Sequence, residues 1–225
     1  MTDTTHLSLS VANPAGAALC LRAGDLLLAV NGNAFTGSED DLTLRVAQAK
    51  GGTVALTFDR GGQKITVLSQ TAKLGDWEEV PVVGTPYDGV RINPDMLTNW
   101  EILRDGQGQF DLQPLRGSIL ALIAPPVWML QMRLWVPGSA LVAAAMVAAA
   151  VSPLMFLAVY LTAGLHLWYS GARYFRKDRI ARGLMPFVVL AAPNERMALA
   201  AFQKLSPESR FIFAPAPAPA PERIA

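Results

Sequence analysis

The segment between Gly117 and Ser170 limits the possible folds more than any other part of the chain. Apart from two tyrosines, its 54 residues include only two ionisable side chains, Arg133 and His166. A stretch so long and so poor in charge cannot form the surface of a water-soluble domain, and a transmembrane helix needs only ~20 apolar residues. The sequence therefore predicts an integral membrane protein.

Helix-breaking residues divide this run into shorter pieces. The breaks lie at Pro125-Pro126, Pro137-Gly138 and Ser152-Pro153. We expect two spans, 135–151 and 153–169, that form a two-helix transmembrane hairpin within residues 135–170. Three shorter spans would also fit the length.

The residues before the hairpin, 117–134, are expected to form a re-entrant or interfacial segment interrupted by the double proline. Arg133 would cost ~2.5–3.5 kcal/mol at the centre of a membrane span. Trp128 and Trp135 are typical of the membrane–water interface. In the first span, two alanine triplets at 143–145 and 148–150 would allow close helix packing, either within the hairpin or with a partner helix.

Charge is distributed unevenly on the two sides of this run. Residues 1–115 contain 8 Lys and Arg against 14 Asp and Glu, a net charge of −6, whereas residues 116–225 contain 11 against 4, a net charge of +7. Five basic residues follow the apolar run directly, and we expect them to contact anionic lipid: Arg173, Arg176, Lys177, Arg179 and Arg182. The positive-inside rule places this end in the cytoplasm.

The N-terminal end is also expected in the cytoplasm, because no signal peptide opens the chain. These expectations together predict a multi-pass protein of the bacterial inner membrane with both termini cytoplasmic. The single cysteine, Cys20, excludes an intrachain disulfide and is expected to be a buried core thiol.

The first seventy residues alternate short apolar runs with turn signals. Strands are predicted at 7–11, 26–30, 53–59 and 64–69, with an Asn31-Gly32 turn after the second. A helix is predicted at 38–49, because Ser38 can cap it and acidic residues follow in its first turn.

This order of elements resembles a PDZ domain of the type found in bacterial proteases and secretion proteins, over residues 7–70. The matching stretches are Leu21–Gly32 (LRAGDLLLAVNG), Asp41-Leu42, Gly52–Val54 and Leu56–Gln63. In that family a peptide adds as a strand beside the second strand and the helix. The resemblance therefore implies a peptide-binding groove formed by Leu7, Leu9, Val11, Leu42 and Val46.

One part of the PDZ pattern is not evident. The family holds the terminal carboxylate of the peptide in a glycine-rich loop before that strand, whereas residues 1–6 contain no glycine. A groove that takes an internal peptide segment and a purely structural domain both fit these residues.

The other segments are predicted from turn residues and composition. Residues 75–116 contain scattered prolines and glycines and are expected to form an irregular connecting segment, with a short amphipathic helix at 95–103. Residues 171–213 are expected to form a basic cytoplasmic tail with a strand at 187–190 and a helix at 194–205. Residues 214–225 alternate Ala and Pro and are expected to be disordered.

A second, weaker resemblance supports the topology alone. Residues 110–202 are similar to an uncharacterised family of small bacterial inner-membrane proteins. It rests on stretches around Arg133-Leu134-Trp135, Gly164-Leu165-His166, Tyr174-Phe175-Arg176 and Pro193-Asn194-Glu195. This family brings no known activity.

The sequence contains no motif that indicates catalysis, a cofactor, a metal site or nucleic-acid binding. It has two histidines and no His-Glu-x-x-His motif. The patterns predict an α+β protein, in which a small PDZ-like β-sandwich or barrel (1–74) precedes an α-helical transmembrane hairpin and a short β-α cytoplasmic tail. Its expected partners are the lipid bilayer and a protein. A membrane-anchored adaptor and a non-catalytic subunit of a membrane complex are the two hypotheses for its function.

Overall fold

A computed structural model describes residues 5–82 and 87–213. It has an α+β fold with a β-rich part that contains two sheets and a helical part nearer the C-terminus. The α+β class predicted from the sequence is therefore confirmed.

The first sheet is built from the N-terminal strands. They are β1 (Thr5–Ala12), β2 (Leu26–Val30), β3 (Asn33–Ala34), β4 (Val54–Arg60), β5 (Gln63–Ser69) and β6 (Gly75–Pro81). Their order across the sheet is β5-β4-β2-β1-β6, and β3 pairs with β2. All of the pairings are antiparallel.

Two local features of the first sheet follow directly from the sequence. The Asn31-Gly32 turn between β2 and β3 has φ angles of 53° and 78°, as the primed hairpin turns require. Helices α1 (Pro14–Ala18) and α2 (Glu39–Ala47) accompany the sheet, and a 3₁₀ turn follows at Lys50–Gly52. Ser38 and Asp41 form a reciprocal capping box at the start of α2.

The second sheet combines strands from distant parts of the chain. A 3₁₀ turn at Pro94–Met96 leads into β7 (Thr98–Arg104) and β8 (Gln109–Pro114), and the later strands are β9 (Met185–Ala192) and β10 (Arg210–Phe211). The order is β10-β8-β7-β9. Helix α7 (Glu195–Leu205) lies between β9 and β10 in the chain, and its buried Phe202 stacks edge-on against Phe110 of β8.

The four remaining helices are inserted between β8 and β9. They are α3 (Ile119–Ile123), α4 (Pro125–Gln131), α5 (Trp135–Val151) and α6 (Pro153–Ala181). Only Ser152 separates α5 from α6, and its Oγ accepts hydrogen bonds from the backbone N–H groups of Leu154 and Met155. The two helices pack against each other.

The two sheets share one hydrophobic core, to which Phe58 and Val67 of the first sheet and Ile102 and Val189 of the second contribute. The side-chain amide of Asn99 also bonds both the N–H and the C=O of Leu68 on β5, each at 2.8 Å. The β-rich part, termed the β body below, is therefore a single packed unit.

The expectation that residues 75–116 are irregular is wrong. They contain β6, β7 and β8, so the first sheet extends beyond the predicted boundary at residue 74. The amphipathic helix expected at 95–103 is instead mostly β7. Met96, Leu97, Trp100 and Leu103 follow helical spacing, but β7 lies between two strands, the neighbouring β8 and also β9, which lies more than 80 residues later. Such distant pairing leaves no local signal.

The later segments lie closer to their predicted positions. Strand β9 covers the strand expected at 187–190, and α7 covers most of the helix expected at 194–205. The basic residues of the expected tail begin within α6, which continues to Ala181. The Ala-Pro end at 214–225 lies outside the described residues.

Candidate membrane interface

Helices α5 and α6 present large apolar side chains outward. Val136 is 81% exposed and Leu154 is 76% exposed. The other large exposed side chains on these helices include Val142, Met146, Val147, Val151, Met155, Leu157, Leu161 and Leu165. A contiguous apolar surface of this kind marks contact with a membrane or another protein.

Among the described helices, only α6 is long and apolar enough to cross a membrane by length and composition. It has 29 residues, and 22% of its most apolar 18-residue stretch is buried. Helix α5 contains no charged residue, but it has only 17 residues, the lower limit of the usual ~17–25.

The buried residues of α5 are all small, and α6 also buries two glycines. Gly138, Ala145 and Ala148 are the buried residues of α5, and Gly164 and Gly171 are buried on α6. A Cβ added at Gly164 would lie 2.5 Å from the carbonyl oxygen of Leu122, so α3 approaches α6 too closely for any larger residue.

Helices α3 and α4 both pack on α6, and the chain reverses direction between them. Gly117 lies beside Trp168, Tyr160 donates a hydrogen bond to the carbonyl of Ile123 at 3.1 Å, and Trp128 packs on Gly171. The chain therefore follows α6 from residue 168 to residue 160 and comes back at 171. The re-entrant or interfacial role expected for residues 117–134 stays a prediction.

Aromatic residues collect near the sheet end of the helices. Trp135 is 60% exposed at the start of α5, and Tyr169 is 73% exposed on α6. His166 Nε2 lies 3.0 Å from the Tyr174 hydroxyl. Tryptophan and tyrosine are enriched where hydrocarbon meets water.

The basic residues after the apolar run do not form one lipid-facing cluster. Arg179 is 1% exposed, and its Nε donates to Asp111 Oδ2 at 2.5 Å. It also binds Asp178, and its Nη2 donates to the Met132 carbonyl at 3.2 Å. The expectation that Arg179 contacts lipid is therefore wrong, because this side chain faces the second sheet.

Arg176 forms the other half of this buried network. Its Nη2 lies 2.5 Å from Oε1 of Glu101, a residue that is fully buried on β7. The other oxygen of Glu101 accepts from Gln113 Nε2 at 2.6 Å. The Arg176 side chain is 38% exposed, so solvent partly screens this pair, but removing it would leave the buried Glu101 carboxylate without its cation. Arg176 therefore holds α6 against the sheet, which departs from the lipid contact predicted for it.

The remaining basic residues stay accessible. Arg173, Lys177 and Arg182 are exposed, and Arg182 pairs with Asp178 four residues earlier on the helix. The predicted lipid surface is thus reduced to three side chains. Sequence reasoning missed Glu101 and Asp111, although a carboxylate inside an apolar strand is a signal that a buried cation lies nearby.

The predicted peptide groove is closed. Leu7, Leu9, Leu42 and Val46 are buried in the core, whereas Val11 is 59% exposed. Strand β1 pairs with β2 on one edge and with β6 on the other, in a register that runs from Thr5 opposite Pro81 to Ala12 opposite Gly75. The groove implied by the PDZ resemblance is therefore filled, because β6 occupies the position that an added peptide strand would take.

Trp77 helps to fix β6 in this position. Its ring stacks on Phe58 at a centroid distance of 6.3 Å, and its Nε1 donates to the Ala72 carbonyl at 3.1 Å. Proline and glycine residues around β6 hid this strand from pattern analysis. The large ring inside an acidic stretch was the one available signal.

The polar groups of the β body form structural pairs. His6 is buried, with Nδ1 3.0 Å from the Phe35 carbonyl, and Asp25 pairs with Arg60. Burial raises the pKa of the Cys20 thiol, and the nearby Glu101 carboxylate raises it further. Within residues 5–82 and 87–213, no group of three His, Cys, Asp or Glu side chains is placed to hold a metal ion.

Comparisons with known proteins give no family assignment: no family model, curated protein or solved structure matches the chain significantly. Its function must therefore be argued from the geometry above.

Proposed function

We propose that this protein is a non-catalytic, membrane-anchored binding adaptor of a bacterial inner membrane. Helices α5 and α6 insert into the bilayer as a hairpin, and the β body is presented at the cytoplasmic face. The outward apolar surface of the two helices carries this proposal, because water would make its exposure costly.

The sheet topology supports a hairpin in preference to a single crossing. Strand β8 precedes the helices, strand β9 follows them, and both pair with β7 in one sheet. The chain must therefore enter and leave the bilayer on the same side, which requires an even number of crossings. The exposed Arg173 and Lys177 support a cytoplasmic location for that side, because the positive-inside rule favours basic residues there.

The adaptor role rests on the PDZ resemblance and on the edges of the first sheet. Because β6 covers β1, we expect a partner strand to pair with the outer edge of β6 itself. Asp76, Glu78 and Glu79 are exposed there, and they favour a basic partner segment.

A specific observation favours the alternative, a structural subunit of a membrane complex. Ala143, Ala144, Ala149 and Ala150 are exposed on α5. Exposed small residues allow a foreign helix to approach closely.

One experiment addresses both the anchor and the two roles. The full chain is tested for flotation with vesicles after alkaline extraction, and its partners are then captured from membranes in mild detergent. We expect flotation, and we expect a Glu78→Lys, Glu79→Lys variant to lose partners that an Ala144→Phe variant retains. The reverse pattern would establish the subunit role, and failure to float would disprove the membrane anchor.

A further inference from the structure

A cavity of about 310 Å³ opens where the sheet meets the helices. It lies between the chain leaving β8 at Gln113–Ser118, Trp128 and Met132 of the re-entrant segment, and residues 167–172 of α6. The lining combines large apolar groups with a few polar ones. The cavity lies beside Tyr169, one of the aromatic residues that mark the proposed membrane surface.

Trp128 lines this cavity, and its indole N–H is buried without an acceptor in the described structure. Trp128 is 5% exposed, and its Nε1 has no partner among the described residues. Buried polar groups are nearly always paired, so an orphaned indole N–H requires an explanation. A bound molecule with an acceptor atom would supply one.

The other polar groups of the lining indicate the charge of that molecule. Arg116 is exposed at the cavity and forms no ion pair within the described parts of the chain, and arginine can only donate hydrogen bonds. The amide nitrogen of Gln113 is already used on Glu101 and on the Ala172 carbonyl. The free cation and the indole N–H both suit an anionic oxygen.

The apolar part of the lining distinguishes a lipid from a free anion. Leu167, Trp168 and Met132 form walls that would gain nothing from a small hydrated ion. They suit a ligand that joins a phosphate to an apolar body.

We propose that this cavity binds the phosphate of a membrane phospholipid, with Trp128 Nε1 and the Arg116 guanidinium as donors and the apolar walls against the glycerol and upper acyl chain. The inference rests on the proposed membrane anchor. It adds a specific lipid site to a general hydrophobic contact.

The test uses full-length protein in mild detergent, with bound lipid counted by native mass spectrometry. The probes are phosphatidylglycerol, diacylglycerol with the same chains and no phosphate, and inorganic phosphate. We expect phosphatidylglycerol to remain bound and diacylglycerol not to. Arg116→Gln should weaken retention at least about tenfold, since a charge-assisted hydrogen bond is lost, whereas Arg196→Gln on α7 should not change it.

Trp128→Phe keeps an aromatic ring against Gly171 and removes the donor, so it separates hydrogen bonding from packing. We expect it also to weaken retention of phosphatidylglycerol. Equal retention by the wild type, Arg116→Gln and Trp128→Phe would overturn the proposal, as would equally strong retention of diacylglycerol. Displacement of the lipid by equimolar inorganic phosphate would assign the site to a free anion and would also overturn it.

Vesicle flotation of the same samples tests the membrane anchor separately from the lipid site. A wild type that floats but retains no phospholipid in detergent refutes the lipid site and leaves the anchor intact. A wild type that does not float refutes the anchor.

Discussion

The β body and the packed helices α5 and α6 use apolar residues in opposite ways. In the β body the large side chains, such as Leu27 and Phe58, are fully buried. In the helices the buried positions of α5 are Gly138, Ala145 and Ala148, while Val147 and Val151 are outside. Side-chain size therefore decides which face of α5 packs inward, whereas hydrophobicity decides it in the sheets.

The joint between these two regions is ionic. Arg176 and Arg179 on α6 reach into the second sheet and pair with Glu101 and Asp111. Burial of such pairs contributes little net stability compared with apolar packing, but it fixes one arrangement, because any displacement leaves charges unpaired. Substitutions of these charged residues are therefore expected to have the largest effect on stability.

The largest effect is expected for Arg179→Met. The change leaves Asp111 buried without its cation and should lower the free energy of unfolding of the β body by ~3–5 kcal/mol. Thermal unfolding in detergent measures this loss, and Arg182→Met at an exposed position of the same helix is the control. An Arg179→Met, Asp111→Leu double variant should recover most of the stability, and a double variant as unstable as the single one would contradict the assignment.

The next largest effect is expected from a Lys substitution at one of two leucines of almost equal exposure. Leu44 on α2 is 57% exposed and Leu161 on α6 is 58% exposed. If the hairpin lies in a bilayer, Leu161→Lys should cost ~2.5–3.5 kcal/mol of insertion, whereas Leu44→Lys should change stability by only about ±0.5 kcal/mol. The fraction that resists alkaline extraction measures the difference. Equal behaviour of the two variants would show that both leucines face water.

A third prediction concerns the close approach of α3 to α6. Gly164→Leu introduces atoms where the Leu122 carbonyl already lies, and overpacking of this kind costs ~1–3 kcal/mol. Ala158→Leu, at an exposed position of the same helix, should leave stability unchanged. Melting temperatures of the two variants in one detergent give the comparison, and similar losses would mean that α3 does not pack on Gly164.

The sequence predicted local features well and distant pairings poorly. Strands β1, β2, β4 and β5, the Asn31-Gly32 turn and helix α2 each carry their own turn or capping residues. Strand β6 and the pairing of β7 with β9 carry no such local marker, because they are defined by contacts between remote segments. The predicted groove is filled by β6, a strand that the sequence pattern did not reveal.

The same limit applies to the basic stretch. Helical spacing alone puts Arg176 and Arg179 on one face with Phe175, but it does not reveal that the face meets β7 and β8. The cavity beside Trp128 was equally hidden, since its walls come from three separate segments. Local chemistry predicts elements, and only the assembled fold shows which charges are paired.

The smallest expected effect concerns the rate at which Cys20 is alkylated. Burial and the Glu101 carboxylate raise the pKa of the Cys20 thiol, so the folded protein holds this thiol in its neutral form at pH values where the unfolded chain has begun to ionise. Alkylation requires the thiolate. The folded protein should therefore react more slowly than the urea-unfolded chain at pH 8.

This difference has a defined dependence on pH. Because the folded pKa is the higher one, neutral Cys20 contributes no destabilisation below its ordinary pKa, and stability falls as pH rises between the ordinary and the raised value. A Lys73→Cys, Cys20→Ser variant supplies an exposed thiol of the same β body as the control. If Cys20 in the folded protein reacts as fast as that exposed thiol at pH 8, then α6 and its network do not shield this part of the β body.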